Sequence, residues 1–315
     1  MSDTVRPYRG FAVEVARTRR LSPSVLRVTF TGPELDRFAA TGLDQRINLV
    51  LPKGCGTTLD VADDWYETWR ALPDDTRPDL RTYTVRAVRP EAREVDVDVV
   101  LHGLAPVTTR GCGLARILGC ACGQEAGPAV RWCAAARAGD PLLLIGPDAA
   151  WSGEPSGVEW RPPVGTTRVL VAGDETAVPA ICSIVEALPA DVTGVVVCEV
   201  PTAADMLDLA APAGVELRWV ARNDAPHGLR LLEEMADVAA GPTERTPGPT
   251  VPAEIDVDDQ ILWEVPEVAV GGTYAWIAGE AGLVRDLRRL LVGRGVDRRS
   301  VAFMGYWRRG RAEAA

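Results

Sequence analysis

One short segment carries the residue types best suited to hold a flat, phosphate-bearing ligand. It is Arg81-Thr82-Tyr83-Thr84, which follows the Pro78-Asp79 turn. An arginine can pair with a phosphate through two parallel hydrogen bonds, and a tyrosine two residues later shares its strand face and can stack on a planar ring. A neighbouring hydroxyl can bond a ring nitrogen. Because Arg-x-Tyr-Thr arises readily by chance in a β-strand, the segment alone is a weak motif.

Two further segments have the chemistry of a phosphate site. His102-Gly103 ends the strand-like run Val99-Val100-Leu101, and Gly127-Pro128-Ala129 precedes an amphipathic stretch that contains Trp132. Small residues at the start of a helix let backbone N–H groups approach a pyrophosphate closely. His102 has a second interpretation, as a hydrogen-bonded histidine at the rim of a barrel.

In the second half, Gly173-Asp174-Glu175-Thr176-Ala177-Val178-Pro179 follows an apolar, strand-like run. Thr176 is predicted to cap a helix, and Pro179 is tolerated in a first helical turn. Nucleotides bind at such strand ends in open α/β sheets, but G-x-G-x-x-G is lacking, so a plain strand-to-helix turn stays open. Gly279-Glu280-Ala281-Gly282 repeats the pattern. The chain then closes on Tyr306-Trp307, which would cap a core or cover a ring.

Short alternating runs with Gly and Pro between them predict antiparallel β-structure in the first half. In Glu94-Val95-Asp96-Val97-Asp98-Val99, the valines share one face and the carboxylates the other. Similar alternation occurs at 11–17, 25–31 and 46–51. Several such strands favour a small closed barrel, with a helix at 62–72 inserted between two of them.

Apolar runs without alternation characterise the second half, as in Val169-Leu170-Val171-Ala172 and Tyr274-Ala275-Trp276-Ile277. Amphipathic stretches lie between such runs, at 177–188, 227–235 and 283–291. Strands and helices that alternate along the chain predict a parallel α/β sheet.

The change of pattern divides the chain. We expect a first domain at 1–151, a linker rich in Gly, Pro and Trp at 152–165, and a second domain at 166–315. A proline-rich, acidic stretch at 241–259 is predicted to be a loop of the second domain.

Length and composition fit two globular domains. The 315 residues are 47% hydrophobic, and no apolar run approaches the roughly 18 residues of a membrane span. A formal charge of -10 argues against nucleic acid or an anionic membrane as partner. The N-terminus is polar and shows no secretory signal, so we expect a cytoplasmic protein, acting as a monomer.

The order of the motifs resembles that of the siderophore-interacting proteins, the ferric-siderophore reductase family of the ferredoxin-reductase-like superfamily. The similarity extends over residues 11–311, and six or seven segments in the same order make it specific. The matching segments are Arg81-Thr82-Tyr83-Thr84-Val85-Arg86, Val99-Val100-Leu101-His102-Gly103, Gly127-Pro128-Ala129 with Trp132, Gly139-Asp140, residues 173–180, residues 219–222 and Gly305-Tyr306-Trp307-Arg308.

The resemblance implies an N-terminal, antiparallel, six-stranded flavin-binding barrel, followed by a parallel-sheet α/β domain that binds a nicotinamide nucleotide. Tyr83 would stack on the isoalloxazine of FAD with Thr84 near its N5, and Arg81 would meet the phosphates. The other implied FAD contacts in the barrel domain are Thr82, Val100, Leu101, His102, Gly103, Gly127, Pro128 and Ala129. The implied contacts from the second domain are Asp174, Thr176 and Ala177, with Tyr306 and Trp307 behind the ring.

The implied activity is electron transfer from NAD(P)H, or from a ferredoxin, through FAD to the Fe(III) of a siderophore, so that Fe(II) is released. No acid–base pair is needed, because the cofactors carry the chemistry. Ferric siderophores are often anionic, so a basic rim would steer them. The candidates for that rim are Lys53, Arg131 and Arg308, with Arg86 a weaker one.

The choice between NADH and NADPH depends on two strand ends. Glu199 is placed to accept a ribose hydroxyl and to repel a 2′-phosphate, which favours NADH. Arg222, at the end of a neighbouring strand, would favour NADPH.

The chain departs from the family pattern in two places. Residues 104–126 lengthen the usually short link between the His-Gly and Gly-Pro-Ala elements, and Val130 stands where a serine is common. The insertion contains Cys112, Cys120 and Cys122, whose spacing matches no zinc or iron–sulfur pattern. With Cys133 as a fourth ligand a metal site stays open, but we expect free thiols and no metal.

Two alternatives remain. A flavin or quinone reductase would keep the flavin and the nicotinamide but use another acceptor. A non-catalytic siderophore-binding or iron-delivery protein would have lost the flavin. Purified protein that is colourless and cannot take up FAD would identify this second alternative.

Overall fold

The computed structural model describes residues 5–52, 65–102, 126–239, 263–264 and 272–310. They form two compact units: unit 1 lies within residues 5–40 and 46–156, and unit 2 within residues 41–45 and 157–310. Outside the described residues lie Lys53, Gly103, Cys112, Cys120, Cys122, the predicted loop at 241–259 and the insertion apart from Ala126.

Unit 1 is an antiparallel barrel with two helices. Its strands are β1 (Tyr8–Ser22), β2 (Val25–Thr31), β3 (Arg46–Leu51), β4 (Asp79–Arg89), β5 (Glu94–Val100) and β6 (Pro141–Pro147). They close in the order β1-β2-β5-β4-β3-β6. Helix α1 (Trp65–Ala71) lies between β3 and β4, and α2 (Pro128–Ala135) precedes β6. The predicted six-stranded barrel is confirmed, and so is the inserted helix over its described part.

Strand β5 shows how the sequence pattern builds this barrel. Its three alternating valines are fully buried in the barrel core. Asp96 and Asp98, on the opposite face, are 4% exposed because arginines cover them. Arg27 binds Asp98 through two bonds of 2.7 Å, and Arg89 binds Asp96 at 2.6 and 2.8 Å. The carboxylate face of β5 is therefore an ion-paired layer between neighbouring strands.

Unit 2 is an α/β sheet. Its strands are β7 (Arg168–Gly173), β8 (Thr193–Val200), β9 (Val215–Ala221), β10 (Trp263–Glu264), β11 (Thr273–Glu280) and β12 (Val301–Trp307). Its α-helices in the described residues are α3 (Val178–Glu186), α4 (Leu229–Val238) and α5 (Ala281–Gly293). No helix in this part of the chain is long and apolar enough to cross a membrane.

The strand order of unit 2 is β10-β12-β11-β7-β8-β9. The five longer strands are parallel, as predicted, and the two-residue strand β10 adds an antiparallel edge. Helix α3 packs on one face, and α4 and α5 pack on the other. Burial on both faces explains why the apolar runs do not alternate. Because the strand order reverses between β7 and β11, their carboxyl ends flank the topological switch point.

Five residues from the loop between β2 and β3, residues 41–45, belong to unit 2. Within them Asp44 is fully buried. Its carboxylate accepts hydrogen bonds from the amides of Glu159 (3.1 Å) and Trp160 (3.0 Å) and from the indole of Trp276 (3.3 Å). Burial outweighs these bonds and raises the pKa of Asp44 to about 6. No motif in the sequence indicates this role.

Candidate functional site

The Arg81–Thr84 segment lies in β4, paired with β3. Tyr83 is half-buried and packs against the barrel core. Thr82 is exposed and donates its hydroxyl hydrogen to Oδ1 of Asn48 at 3.1 Å, whereas Thr84 is 7% exposed. A ring supported by the core, with a fixed hydroxyl beside it, suits a stacked planar ligand.

Arg81 lies on the same strand face as Tyr83, by the alternation of β4. Its side chain is half-buried, and Nη1 donates to the carbonyl oxygen of Leu80 at 2.6 Å. The guanidinium is thus folded back along its own strand. Its contact with a phosphate stays a prediction.

The strand end after β5 presents one side chain to solvent. Val100 and Leu101 are 7% and 9% exposed, whereas His102 is exposed. The amide of Leu101 donates to the carbonyl oxygen of Ser24 at 2.8 Å, which fixes the path of the backbone. His102 is therefore the described residue of this segment whose side chain reaches solvent.

Helix α2 begins at an N-terminus that no side-chain hydrogen bond caps among the described residues. Gly127 is the N-cap residue, Pro128 is the first helical residue, and the first turn contains no acidic side chain. A Cβ atom built on Gly127 would meet no described atom within 4 Å. In a helix that begins here, the amides of Ala129 and Val130 have no intrahelical acceptor, and this is the geometry that binds a pyrophosphate.

Asp174, at the carboxyl end of β7, is the most heavily bonded carboxylate of unit 2 among the described residues, and it is fully buried. Its Oδ1 accepts from the amide (2.9 Å) and the hydroxyl (2.5 Å) of Thr176. Its Oδ2 accepts from the amide of Glu280 (2.8 Å) and the indole of Trp307 (3.0 Å). Nε2 of His227 lies 3.3 Å from the same oxygen. One carboxylate thus joins the ends of β7, β11 and β12 to the loop before α4.

A glycine at position 279 permits this arrangement. Gly279 has a φ of 144°, in the region that L side chains rarely adopt. A Cβ atom there would lie 2.7 Å from the carboxylate of Asp174. The carboxylate can therefore reach the amide of Glu280 only because residue 279 has no side chain.

Both members of the Asp174–His227 pair favour their charged forms. Burial alone would raise the pKa of Asp174, but His227 and the bonds from Thr176 and Trp307 hold it below its ordinary value. Burial alone would lower the pKa of His227, but the carboxylates of Asp174 and Glu175 raise it. The imidazole ring also lies edge-on to Trp307, with ring centroids 5.3 Å apart.

Arg222 joins two carboxylates at the neighbouring strand ends. It binds Glu175 at 2.9 and 3.0 Å and Glu199 at 2.9 Å. Glu199 is fully buried and also accepts from the amides of Gly228 (2.8 Å) and Leu231 (3.1 Å). It is therefore not available to a ribose hydroxyl, and the expectation that it selects NADH loses its support. The preference for NADH stays an untested prediction.

Asp174, Glu175 and His227 each place one possible metal ligand within 4.8 Å of the others. Their oxygens are already engaged, since Asp174 accepts four hydrogen bonds and both oxygens of Glu175 bind Arg222. Arg222 and His227 offset most of the negative charge of Asp174, Glu175 and Glu199. The geometry is therefore that of an ion-pair network.

The predicted cap of α3 is wrong. Ala177, not Thr176, is the N-cap residue, because Thr176 gives its amide and its hydroxyl hydrogen to Asp174 in the turn before the helix. Ala177 has no exposed surface. Pro179 stands in the first turn as predicted.

The aromatic residues at the end of β12 have separate surroundings. Tyr306 stacks on Trp263, with ring centroids 6.1 Å apart, and packs against the core of unit 2. Trp307 is directed to Asp174 and His227 instead. Tyr306 therefore fits the core-capping interpretation, and contact of either ring with a flavin stays a prediction.

The predicted basic rim is placed only in part. Arg131 lies in unit 1, is exposed, and donates to the carbonyl oxygen of Ala126. Arg308 lies in unit 2 and is half-buried. Lys53 lies outside the described residues.

Sequence reasoning missed His227 as a site residue. It was assigned only to the start of a helix, whereas its side chain is 10% exposed and faces two carboxylates. The available signal was scarcity: the chain has two histidines, and this one immediately precedes Gly228.

Comparison with known proteins identifies the family. Residues 14–151 match the siderophore-interacting FAD-binding domain, and residues 166–310 match the siderophore-interacting protein model. The chain belongs to the siderophore-interacting protein family. Family relatives include an uncharacterized protein of Mycobacterium tuberculosis, 35% identical over 322 residues, with 98% of this chain and 93% of the relative covered. The ferric vibriobactin reductase ViuB of Vibrio cholerae is 26% identical, with 100% and 95% covered.

Solved structures of siderophore-interacting proteins agree with this assignment. SipS from Aeromonas hydrophila is 29% identical with a TM-score of 0.66, and 98% of this chain and 95% of that chain are covered. A siderophore utilization protein from T. fusca is 26% identical with a TM-score of 0.67, covering 99% and 97%. A ferredoxin reductase of carbazole 1,9a-dioxygenase, 14% identical with a TM-score of 0.54 and covering 96% and 71%, shares the fold.

Unit 1 of this siderophore-interacting protein has the features that FAD requires. The family assigns FAD binding to this part of the chain. The half-buried ring of Tyr83 offers a stacking surface. The start of α2, which no side chain of the described residues caps, offers amides for a pyrophosphate. These residues would hold the isoalloxazine and the phosphates respectively.

Proposed function

We propose that this protein is an FAD-dependent ferric-siderophore reductase. It takes electrons from NAD(P)H, or from a ferredoxin, and passes them through FAD to the Fe(III) of a siderophore, which releases Fe(II). The observation that carries the proposal is the N-terminus of α2, which no side chain of the described residues caps, in a barrel that matches the family's FAD-binding domain. The relative named ferric vibriobactin reductase supports siderophore-bound iron as the acceptor.

The residues of unit 1 bind and orient the cofactor in this proposal. Tyr83 stacks on the isoalloxazine, and Thr84 lies near its N5. Arg81 and His102 meet the phosphates, together with the amides at Gly127–Ala129. FAD itself converts a two-electron donor into single electrons for iron.

The residues of unit 2 contribute positioning rather than proton transfer. Asp174 connects the ends of β7, β11 and β12 through its bonds to the amide of Glu280 and the indole of Trp307. Its charge is balanced by His227 at 3.3 Å. The proposed reaction needs no acid–base group, so we assign neither residue a proton-transfer step.

Iron reduction by the purified, FAD-loaded protein tests the proposal. The protein is mixed anaerobically with NADH or NADPH and a ferric catecholate siderophore, and Fe(II) is captured by a chromogenic chelator. We expect Fe(II) to form at a rate that depends on enzyme and on siderophore concentration. Colourless protein that cannot take up FAD contradicts any reductase function. Oxidation of the donor with a quinone but without Fe(II) capture identifies the quinone-reductase alternative.

A further inference from the structure

The three α-helices described in unit 2 have a carboxylate at or just before their N-termini. In the turn before α3, Asp174 accepts from the amide of Thr176. In α4, Glu199 accepts from the amides of Gly228 and Leu231. In α5, the N-cap residue Glu280 accepts from the amide of Leu283 at 2.9 Å and gives its own amide to Asp174.

These amides are the groups that a dinucleotide would need. Free N–H groups at a helix N-terminus, with the positive end of the helix dipole, form the usual pyrophosphate site of an α/β sheet. Here the carboxylates of Asp174, Glu199 and Glu280 already accept from these amides, which are therefore not free to bind phosphates. Pro179, in the first turn of α3, has no amide hydrogen to offer.

One guanidinium near these helix ends, that of Arg222, is committed as well. Arg222 could in principle bind a phosphate, but its side chain is 15% exposed and bonds to Glu175 and Glu199. A phosphate would have to displace two carboxylates from it. Removal of one partner from a buried ion pair is costly, because the other charge is left uncompensated.

Helix α2 of unit 1 provides the internal comparison. Its N-terminus has a glycine N-cap, no side-chain cap among the described residues and no acidic residue in its first turn. Among the described residues, no carboxylate bonds to the first turn of α2, whereas Glu199 and Glu280 bond to the first turns of α4 and α5 and Asp174 bonds to the turn before α3. Helices α2, α3, α4 and α5 belong to the same acidic chain, so the net charge of the protein does not explain the difference between them.

We propose that the carboxyl edge of unit 2 excludes the phosphates of a dinucleotide through Asp174, Glu199 and Glu280, so that this protein recognises a dihydronicotinamide donor by its nicotinamide riboside half alone. The inference deepens the proposed function, on which it rests for the identity of the donor. Its binding test does not depend on iron reduction.

The binding test is isothermal titration of the FAD-loaded, full-length protein with ADP-ribose, which carries the pyrophosphate but no nicotinamide. We expect no saturable binding, or a Kd weaker than about 1 mM. Saturable binding tighter than that overturns the inference. The result holds whether or not the protein reduces a siderophore.

The kinetic test compares NADH with dihydronicotinamide riboside, which lacks phosphates, by the anaerobic loss of flavin absorbance. We expect the two values of kcat/KM to agree within about tenfold, because the missing half contributes little binding energy. A larger preference for NADH overturns the inference. If neither donor reduces the flavin, the proposed NAD(P)H donor fails, and the ADP-ribose titration still decides the inference.

A pair of variants assigns the effect to the helix caps. Glu280→Gln keeps an oxygen for the amide of Leu283 but removes the charge, and we expect it to raise the NADH-to-riboside ratio of kcat/KM about two- to fivefold. Asp286→Asn is the matched control, because Asp286 lies in the second turn of α5 and pairs with Arg285 at 2.9 Å. We expect no change of ratio there. An equal rise in both variants, or a rise in neither, overturns the assignment to the caps.

Discussion

At the scale of single residues, Asp174 combines complete burial with a retained negative charge. Its four hydrogen bonds and the imidazole of His227 replace the hydration that burial removes. Each of those donors would lose its acceptor if the carboxylate were absent, and Glu280 and Trp307 lie on different strands. The carboxylate of Asp174 therefore connects the ends of three strands.

Replacement of Asp174 by Ala should be strongly destabilising. It leaves His227 charged without its main partner and removes the acceptor of four donors, so we expect a loss of about 3–5 kcal/mol in the free energy of unfolding. Urea denaturation measures this, with Asp286→Asn as a control for loss of an acidic charge. A loss below about 1 kcal/mol would show that the cluster is not a stabilising ion-pair network.

His227 should make stability depend on pH. Because its pKa is raised in the folded state, its stabilisation is complete below its ordinary pKa and is lost as the pH rises through the raised value. The difference in unfolding free energy between wild type and His227→Gln should therefore be larger near about pH 6 than near about pH 9. Urea titrations at both values measure it. His102→Gln, at an exposed position, serves as the control; equal differences for His227→Gln at both values would contradict the ion pair.

Tyr83 should control retention of FAD. Tyr83→Ala removes the stacking surface and should weaken FAD binding about tenfold or more, whereas Tyr83→Phe keeps the ring and should bind nearly normally. Fluorescence titration of the apoprotein with FAD measures both. Tyr66→Ala is the control, because that tyrosine is 46% exposed on α1. Unchanged affinity in Tyr83→Ala would remove this residue from the flavin site.

At the scale of elements, hydrophobic alternation in the sequence predicted the strands whose bounds are set by burial of one face. The strands at 25–31 and 46–51 have the predicted bounds, because burial of one face imposes a period of two. Strand β1 is longer than the predicted 11–17, since its polar residues continue main-chain pairing with β2 up to Ser22. Pairing of this kind leaves no hydrophobic signal.

The site residues that could be predicted were also those that belong to local sequence patterns. Tyr83 and Gly127 belong to short motifs and were predicted as site residues. The caps of α4 were not predicted, because Glu199 is 29 and 32 residues from the amides it binds. Likewise, Asp174 and His227 meet only when the sheet has brought their strand ends together. Cap rules that consider three or four neighbouring residues cannot find such contacts.

The buried carboxyl group of Asp44, in segment 41–45, should make stability depend on pH. The pKa of Asp44 is raised to about 6, so its contribution to stability is greatest below the ordinary value and is lost as the pH rises through about 6. Asp44→Asn avoids burial of a charge and should be about 1–3 kcal/mol more stable than wild type near about pH 8, but not near about pH 4. Thermal or urea unfolding at both values measures it. If Asp44→Asn is less stable than wild type near about pH 8, the two amides and the indole that bond to Asp44 require the charged carboxylate.

At the scale of the whole molecule, the formal charge of -10 repels an anionic ferric siderophore at long range. Binding of the proposed anionic substrate would therefore require a local excess of positive charge at its site. Among the proposed rim residues, exposed Arg131 near the start of α2 is the best placed to supply it in unit 1.

Charge reversal tests this local excess. Arg131→Glu should raise the KM for an anionic ferric siderophore about three- to tenfold at low ionic strength, and less at high salt. Steady-state kinetics at two salt concentrations measure it. Arg137→Glu, at another exposed arginine just beyond α2, is the control. If KM is unchanged in Arg131→Glu, this arginine is not part of the rim; Lys53→Glu tests the remaining candidate in the same half.

The allocation of residues 41–45 to unit 2 has a consequence for recombining family members. A chimaera made by a single crossover near residue 157 would leave Asp44 from one parent to meet the amides of residues 159 and 160 and the indole at 276 from the other. Modular exchange therefore needs crossovers on both sides of the 41–45 segment as well as the one near 157. Libraries that carry this segment with the C-terminal parent should yield more folded hybrids than libraries with one junction.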